Sequence, residues 1–209
     1  MTAREVLVGA PGAQLVIISG PSGVGKDTII EALRERPRDP DYHYVVTCTT
    51  RAPRPGEVQD ASYHFLSPEA FAALRDAGEL LEFAEVHGNW YGTPRLEVAE
   101  ALAQGHDVIL KIDVQGASAV KQRAPDALLV FLVPPSMEEL FQRLRSRATE
   151  TADELELRQR NAAIELARTG DYDRVVINET NQQARTAAEI EAIITQEKRR
   201  NADRRVRIS

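Results

Sequence analysis

The segment at residues 20–26, GPSGVGK, has the glycine spacing and the terminal lysine of a phosphate-binding loop. It follows the short apolar run 14–19, which is typical of a buried strand, and it precedes a segment with helical character. In that position the glycines let backbone N–H groups converge on phosphate oxygens, and the helix N-terminus adds partial positive charge. Lys26 would reach the β- and γ-phosphates of a nucleotide. The spacing therefore predicts a nucleotide site made of Gly20, Pro21, Ser22, Gly23, Val24, Gly25 and Lys26.

The next position departs from the usual pattern, in which a Ser or Thr follows the lysine and offers its hydroxyl to Mg²⁺. Asp27 stands there instead, and Thr28 comes one residue later. A carboxylate is also a hard oxygen ligand that suits Mg²⁺, but it adds negative charge beside a triphosphate. We therefore expect Thr28 to hold Mg²⁺, directly or through water, and Asp27 to face solvent or bound waters.

A second candidate site residue, Asp113, ends the apolar segment 107–113. Ligands of parallel α/β sheets bind at the carboxyl ends of strands, so Asp113 is placed to orient a Mg²⁺-bound water or to contact an acceptor molecule. Lys111 shares a face of the strand with it, because the two residues lie at i and i+2. Lys111 could pair with Asp113 or touch phosphate, and the residues leave its role open.

The elements that must position these residues alternate between strands and helices, which predicts an α/β fold with a parallel sheet and crossover helices. The predicted helices cover about 26–36, 68–77 and 96–104, a long amphipathic stretch from residue 136, and the last part of the chain. Segment 87–94 reads as a turn-rich loop, residues 1–13 as a loose leader and residues 196–209 as a basic, partly frayed tail. The predicted strands cover 14–19, 43–50, 79–86, 107–113, 127–133 and 173–178.

The composition of the chain limits the classes of protein to which it can belong. The chain has 209 residues and a net charge of −6, which fits one globular domain and argues mildly against a general nucleic-acid binder. The single cysteine, Cys48, cannot form an intrachain disulfide, so we expect a reducing compartment, the cytoplasm. No apolar run approaches the ~18 residues of a membrane span, and no obligate protein partner is evident.

Further segments form a set with the glycine loop: TTRAPRPGE (49–57), YHF (63–65), LLEFAEVHGNWYGTP (80–94), ILKIDVQG (109–116) and RLRSRATET (143–151). Their order and spacing across about residues 14–195 resemble the guanylate kinase family. The resemblance implies a P-loop NTPase-type parallel sheet with flanking helices, a small GMP-binding insertion at about 47–95 and a lid at about 138–165. It implies transfer of the γ-phosphoryl group of ATP to GMP, and to dGMP, with Mg²⁺ as cofactor.

The resemblance also assigns residues to GMP. Glu82 matches the carboxylate that accepts from the N1–H and N2–H₂ donors of guanine, a donor pair that adenine lacks. Thr47, where the family often has Ser, and Thr93 match hydroxyl positions at the base, and Asp113 matches a position near the acceptor. The family often has another acid where this chain has Lys111. Guanidinium forks and phenol hydroxyls suit the GMP phosphate, and the matching residues are Arg51, Arg54, Tyr63 and Tyr91.

Phosphoryl transfer needs mainly positioning and charge stabilisation, which the resemblance assigns to Lys26 and to the lid arginines Arg143, Arg147 and Arg158. Arg147 also matches a residue that stacks on adenine, and Asn178 matches a position near the same base. Two alternatives are a non-catalytic guanylate-kinase-like interaction module and a kinase for another nucleoside monophosphate. Lys26 and the lid arginines speak against the first alternative, and Glu82 speaks against the second.

Overall fold

The computed structural model describes residues 6–38, 41–86, 88–145 and 152–209. Within these ranges no helix is both long and apolar enough to span a membrane. The helices are α1 Lys26–Arg34, α2 Pro68–Asp76, α3 Arg95–Ala103, α4 Val114–Arg123, α5 Met137–Arg145, α6 Ala152–Leu166 and α7 Gln183–Arg200, with a 3₁₀ helix at Ala167–Asp171. The strands are β1 Val6–Leu7, β2 Leu15–Ser19, β3 His43–Tyr44, β4 Cys48–Thr49, β5 His64–Phe65, β6 Leu80–Val86, β7 Asn89–Pro94, β8 Val108–Lys111, β9 Leu128–Val133, β10 Arg174–Ile177 and β11 Arg207–Ile208.

The main sheet is parallel and, within the described residues, has the strand order β10-β9-β2-β8-β3. Every residue of the central strand β2 is buried, because helices cover both faces of the sheet. The predicted α/β fold class is therefore confirmed. Since β2 and β8 are neighbours, the loop after β2 and Asp113 after β8 lie side by side at the carboxyl edge of the sheet.

The prediction of a loop at 87–94 is wrong for the described residues, because Asn89–Pro94 form β7 and pair antiparallel with β6. These strands belong to a second sheet, in the order β5-β4-β7-β6. Trp90 explains the outcome: its ring lies 6.1 Å from the rings of Phe71 and of Phe83, so that packing favours a strand over a loop. Gly88, with φ of 74°, makes the turn between β6 and β7.

Helix α4 was not predicted, and the described residues of the predicted long helix from residue 136 form α5 and α6. The side chain of Asp113 caps α4 by accepting a 2.7 Å hydrogen bond from the N–H of Gly116. Helices α5 and α6 share a small core of their own that contains Leu140, Leu144 and Ala162. The described part of the predicted lid thus has a core of its own, and it lies against the glycine loop, where a Cβ atom at Gly23 would lie 2.7 Å from Leu144.

Two predictions about the chain ends are wrong for the described residues. The leader is not loose, because β1 pairs antiparallel with β11. The final helix ends at Arg200 and the tail is not frayed, since Val206 and Ile208 are each only 2% exposed and pack with Ala13 in the main core. The alternation of these two apolar residues with arginines is the pattern of a short half-buried strand.

Candidate functional site

A cleft of about 510 Å³ opens between the carboxyl edge of the main sheet, the second sheet and α6. Its volume lies in the range of pockets that bind small molecules. The structure thus brings together side chains from segments that are far apart in the sequence. The sequence-predicted site residues that line the cleft are Gly20, Ser22, Lys26, Asp27, Thr47, Arg51, Arg54, Tyr63, Glu82, Tyr91, Asp113 and Arg158.

The phosphate-binding loop wraps the start of α1. Gly25 has φ of 96°, and a Cβ atom there would lie 2.6 Å from Nδ2 of Asn178, so this position requires glycine. The ammonium of Lys26 donates hydrogen bonds to the carbonyls of Gly20 at 2.6 Å and Pro21 at 3.2 Å. Burial lowers the pKa of Lys26 despite the opposing charge of nearby carboxylates. The loop therefore carries a buried cation at the place where phosphate was predicted.

Asn178 and Arg143 hydrogen-bond to the phosphate-binding loop but do not line the cleft. Asn178 is 3% exposed, and its amide donates a 2.7 Å hydrogen bond to the carbonyl of Val24. Arg143 donates to the same carbonyl at 3.1 Å and to that of Asn178 at 3.0 Å. Their predicted roles at the adenine and at the transferring phosphoryl group stay predictions, as does that of Arg147, which lies outside the described residues.

Asp27 and Thr28 differ from the expected magnesium arrangement. Asp27 keeps 65% of its side chain exposed, but Oδ1 also accepts a 2.5 Å hydrogen bond from Nζ of Lys111. Lys111 therefore pairs with Asp27, and not with Asp113 as one reading of the sequence allowed. The hydroxyl of Thr28 donates to the carbonyl of Gly25 at 2.8 Å and does not line the cleft.

The residues present fit a magnesium ion only in part. Among the described residues, no group of three or more His, Cys, Asp or Glu side chains could hold a metal. Asp113 lines the cleft, and Mg²⁺ commonly uses one or two carboxylates together with substrate phosphates. Asp113 therefore fits the ion, whereas Thr28 does not in this structure, and Asp27 already has a cationic partner.

The part of the cleft that contains the predicted GMP-phosphate residues is organised by Glu57, which was not predicted from the sequence. Its carboxylate accepts two hydrogen bonds from Arg51, at 2.9 and 2.8 Å, and one from the backbone N–H of Arg54 at 2.7 Å. The guanidinium of Arg51 lies 5.5 Å from the ring of Tyr63, and the rings of Tyr63 and Tyr91 meet edge to face at 6.1 Å. Arg51 and the two tyrosines thus form one cluster, and these residues and Arg54 all line the cleft.

Glu82 lines the same cleft and is 3% exposed. Thr93 donates a 2.6 Å hydrogen bond to Oε1 of Glu82, and burial raises the pKa of this carboxyl group to about 7. Gly116 leaves the space that the carboxylate fills, since a Cβ atom there would lie 2.9 Å from Oε2. Thr47 is 7% exposed and lines the same part of the cleft. A buried carboxylate aimed into a pocket suits a ligand with neighbouring N–H donors.

Helix α6, which lies in the predicted lid, contacts the phosphate-binding loop through two residues. Arg158 donates a 2.9 Å hydrogen bond to the hydroxyl of Ser22, and Oε2 of Glu165 accepts a 3.1 Å bond from the N–H of Ser22. Glu165 was not predicted from the sequence. It lies seven residues after Arg158, two helical turns along the same face, so helical periodicity would have revealed it.

Comparison with known proteins identifies the family. The family model for guanylate kinase matches residues 12–197. The chain belongs to the guanylate kinase family. A guanylate kinase of Mycobacterium bovis is 49% identical over 174 residues, which cover 81% of this chain and 83% of that protein. The guanylate kinase of Symbiobacterium thermophilum is 47% identical over 190 residues, which cover 91% and 88%.

A solved structure agrees. The crystal structure of guanylate kinase from Anaplasma phagocytophilum superposes with a TM-score of 0.74 at 30% identity and covers 94% of this chain and 91% of that one. Guanylate kinases are nucleoside monophosphate kinases, so the predicted enzyme class is confirmed and the interaction module is not favoured.

Proposed function

We propose that the cleft transfers the γ-phosphoryl group of ATP to GMP, and to dGMP, giving ADP and the nucleoside diphosphate. The observation that carries the proposal is the position of Glu82, a buried carboxylate that lines the same cleft as the phosphate-binding lysine Lys26. A carboxylate there accepts from guanine N1–H and N2–H₂, whereas adenine presents an acceptor at N1 and leaves the buried charge unpaired. Such unpaired burial makes discrimination between the bases steep.

The acceptor phosphate belongs in this proposal to the group formed by Arg51, Arg54, Tyr63 and Tyr91. The bidentate pairing of Arg51 with Glu57 fixes the guanidinium before GMP arrives, which reduces the entropy lost on binding. In the same way, the hydrogen bond from Thr93 fixes the carboxylate of Glu82 before the base binds. The acceptor is thereby fixed at both ends, with its phosphate directed towards the donor loop.

The donor side uses the loop backbone and Lys26 for the β- and γ-phosphates of ATP. Mg²⁺, when bound, would neutralise charge on these phosphates, and Asp113 is the side chain that would hold it. Arg158 reaches the loop from α6 and supplies positive charge to the transferring phosphoryl group. Arg143 positions the loop through Val24, and Arg147 is proposed as a further lid cation.

The insertion at about residues 47–95 and the lid at about 138–165 are proposed to close over the two nucleotides and exclude water. We expect a cytoplasmic location, in keeping with the free and buried Cys48, and no nucleic acid, membrane or obligate protein partner.

A coupled assay of ADP release with ATP and Mg²⁺ tests the function, with GMP, dGMP, AMP, CMP and UMP as acceptors. We expect activity with the two guanine nucleotides alone, and a loss of about a hundredfold in kcat/KM for GMP in Glu82→Gln, because two hydrogen bonds to a charged acceptor are weakened. Glu85→Gln, on the exposed face of the same strand, is the matched control and should retain wild-type kinetics. Equal rates with GMP and AMP would refute the proposal.

A further inference from the structure

Lys111 links the two halves of the cleft. It is the last residue of β8, its side chain is 24% exposed, and it lines the cleft. Its ammonium lies 2.5 Å from Oδ1 of Asp27 at the start of α1, and 5.1 Å from the ring centre of Tyr63 on the acceptor side. A positive charge on a rigid strand therefore lies between the donor loop and the residues proposed for the acceptor phosphate.

We propose that Lys111 is a catalytic residue that contacts the phosphoryl group in transfer, and that Asp27 positions its ammonium and is not a magnesium ligand. The proposal rests on the proposed function, because it assigns both residues to phosphoryl transfer between ATP and GMP. It also accounts for the unusual residue at position 27. Where such a loop commonly has a Ser or Thr that offers its hydroxyl to the metal, Asp27 instead holds the ammonium of Lys111.

Electrostatics favours this position for a cation. The γ-phosphoryl group of ATP and the phosphate of GMP are both negative and must approach each other, so a fixed cation between them lowers the barrier. In the transfer step a GMP phosphate oxygen forms a bond to the γ-phosphorus, and the bond from that phosphorus to the ADP oxygen breaks. ADP leaves with the electron pair of the broken bond, and Lys111 stays protonated throughout.

The ammonium of Lys111 can exchange its ion pair with Asp27 for a contact with phosphate. Asp27 lies in the first turn of α1, where the helix dipole favours a carboxylate. Because its side chain is 65% exposed, the ion pair contributes little to stability, and the ammonium can leave it for a phosphate oxygen. Burial lowers the pKa of Lys111, but Tyr63 and Asp27 outweigh this effect and raise it, so the ammonium is charged at neutral pH.

The first test compares Lys111→Met and Lys111→Arg with the wild type and with Lys121→Met, a lysine that is ion-paired outside the cleft. We expect Lys111→Met to lower kcat on the order of a hundredfold, as removal of one transition-state donor does. Lys111→Arg should recover most of this loss, and Lys121→Met should leave kcat unchanged. Wild-type kcat in Lys111→Met would overturn the proposal.

A second measurement needs neither turnover nor metal. Calorimetry in EDTA compares the binding of GMP and of guanosine, which lacks the phosphate. We expect Lys111→Met to weaken GMP binding about tenfold, as loss of one charge-assisted contact does, and to leave guanosine binding unchanged. Equal weakening of both ligands would show a structural role and overturn the phosphate contact.

Asp27→Asn tests the second half of the proposal. We expect the Mg²⁺ concentration for half-maximal activity to stay within about twofold of the wild type, and the double variant with Lys111→Met to be no slower than Lys111→Met alone. A rise of about tenfold in the required Mg²⁺ would make Asp27 a metal ligand. A wild-type protein without GMP kinase activity would refute the proposed function itself, which separates that failure from this one.

Discussion

The hydroxyl of Thr93 donates a 2.6 Å hydrogen bond to Oε1 of Glu82, in a part of the cleft where Glu82 is only 3% exposed. This bond fixes one carboxylate oxygen, while Oε2 lies over Gly116. Burial dominates the energetics of the carboxyl group and raises its pKa to about 7. A guanine that brings N–H donors would replace the solvation that the charged form has lost, so protonation and base recognition are coupled at this residue.

Glu82 makes the stability of the ligand-free protein depend on pH. The folded state holds the proton with a pKa of about 7, against 4.5 for an ordinary carboxyl group, so the stabilisation is fully present below 4.5 and is lost as pH rises through about 7. We expect Glu82→Gln to reduce this slope. Urea unfolding at about pH 5 and about pH 8 measures it, with Glu85→Gln as the control. An identical slope in wild type and Glu82→Gln would contradict the prediction.

Guanosine binding should release a proton from Glu82 near pH 6. The base donates hydrogen bonds to the charged carboxylate, so the complex favours the ionised form and its pKa falls. Calorimetric titrations in two buffers of different ionisation enthalpy report the number of protons released. Guanosine is the ligand because the phosphate of GMP itself titrates near pH 6. The release should be absent in Glu82→Gln and absent when adenosine replaces guanosine. Proton uptake on guanosine binding would mean that the neutral acid is the form that recognises the base.

Gly116→Ala should weaken GMP binding without weakening the fold. The new Cβ would lie 2.9 Å from Oε2 of Glu82 and force the carboxylate to shift, so we expect GMP affinity to fall about tenfold, as loss of one strong hydrogen bond does. Alanine is a better helix former than glycine, so α4 should not be weakened. Gln115→Ala, exposed on the same helix, is the control. Calorimetry with GMP and with ATP gives both affinities, and unchanged GMP affinity would show that the carboxylate has room to move.

Local features of this site were predictable from sequence. The glycine loop, Lys26 and the strand before it lie within a few residues, so their spacing alone carries the geometry. The parallel sheet also followed from the alternation of strands and helices. The resemblance to a family added the acceptor residues, and the structure collects most of them in one cleft.

Features that depend on tertiary contacts were not predictable. Lys111 and Asp27 are 84 residues apart and meet only because β2 and β8 are adjacent. Strand β7 was read as a loop because Gly88 and Asn89 give turn signals, which the packing of Trp90 overrides. The chain ends were read as loose because the pairing of β1 with β11 joins residues from opposite ends of the sequence.

In the wild-type protein, the carboxylate of Glu165 should weaken ATP binding. Its carboxylate accepts the N–H of Ser22, a loop donor that a phosphate would otherwise use, and its charge also acts on Lys26. We expect Glu165→Gln to bind ATP several-fold more tightly, an effect that should shrink at high salt. Glu156→Gln, an exposed position on the same helix, should bind ATP like the wild type. Equilibrium binding of a non-hydrolysable ATP analogue measures the change, and weaker binding in Glu165→Gln would show that the carboxylate instead shapes the loop for phosphate.

Asp107 should be a main determinant of stability away from the cleft. Its side chain is 2% exposed and accepts hydrogen bonds from Arg38, from Lys198 and from the N–H of Gln14. Asp107→Asn keeps the shape but leaves two cations without their buried counter-charge, so we expect a loss of about 3–5 kcal/mol in the free energy of unfolding. Asp171→Asn breaks a solvent-exposed pair with Arg168 and should leave the unfolding transition nearly unchanged. Urea unfolding compares the two variants, and kcat of the folded Asp107→Asn protein should stay close to wild type because Asp107 does not line the cleft. Equal stabilities of the two variants would mean that the buried pairing only offsets its own desolvation.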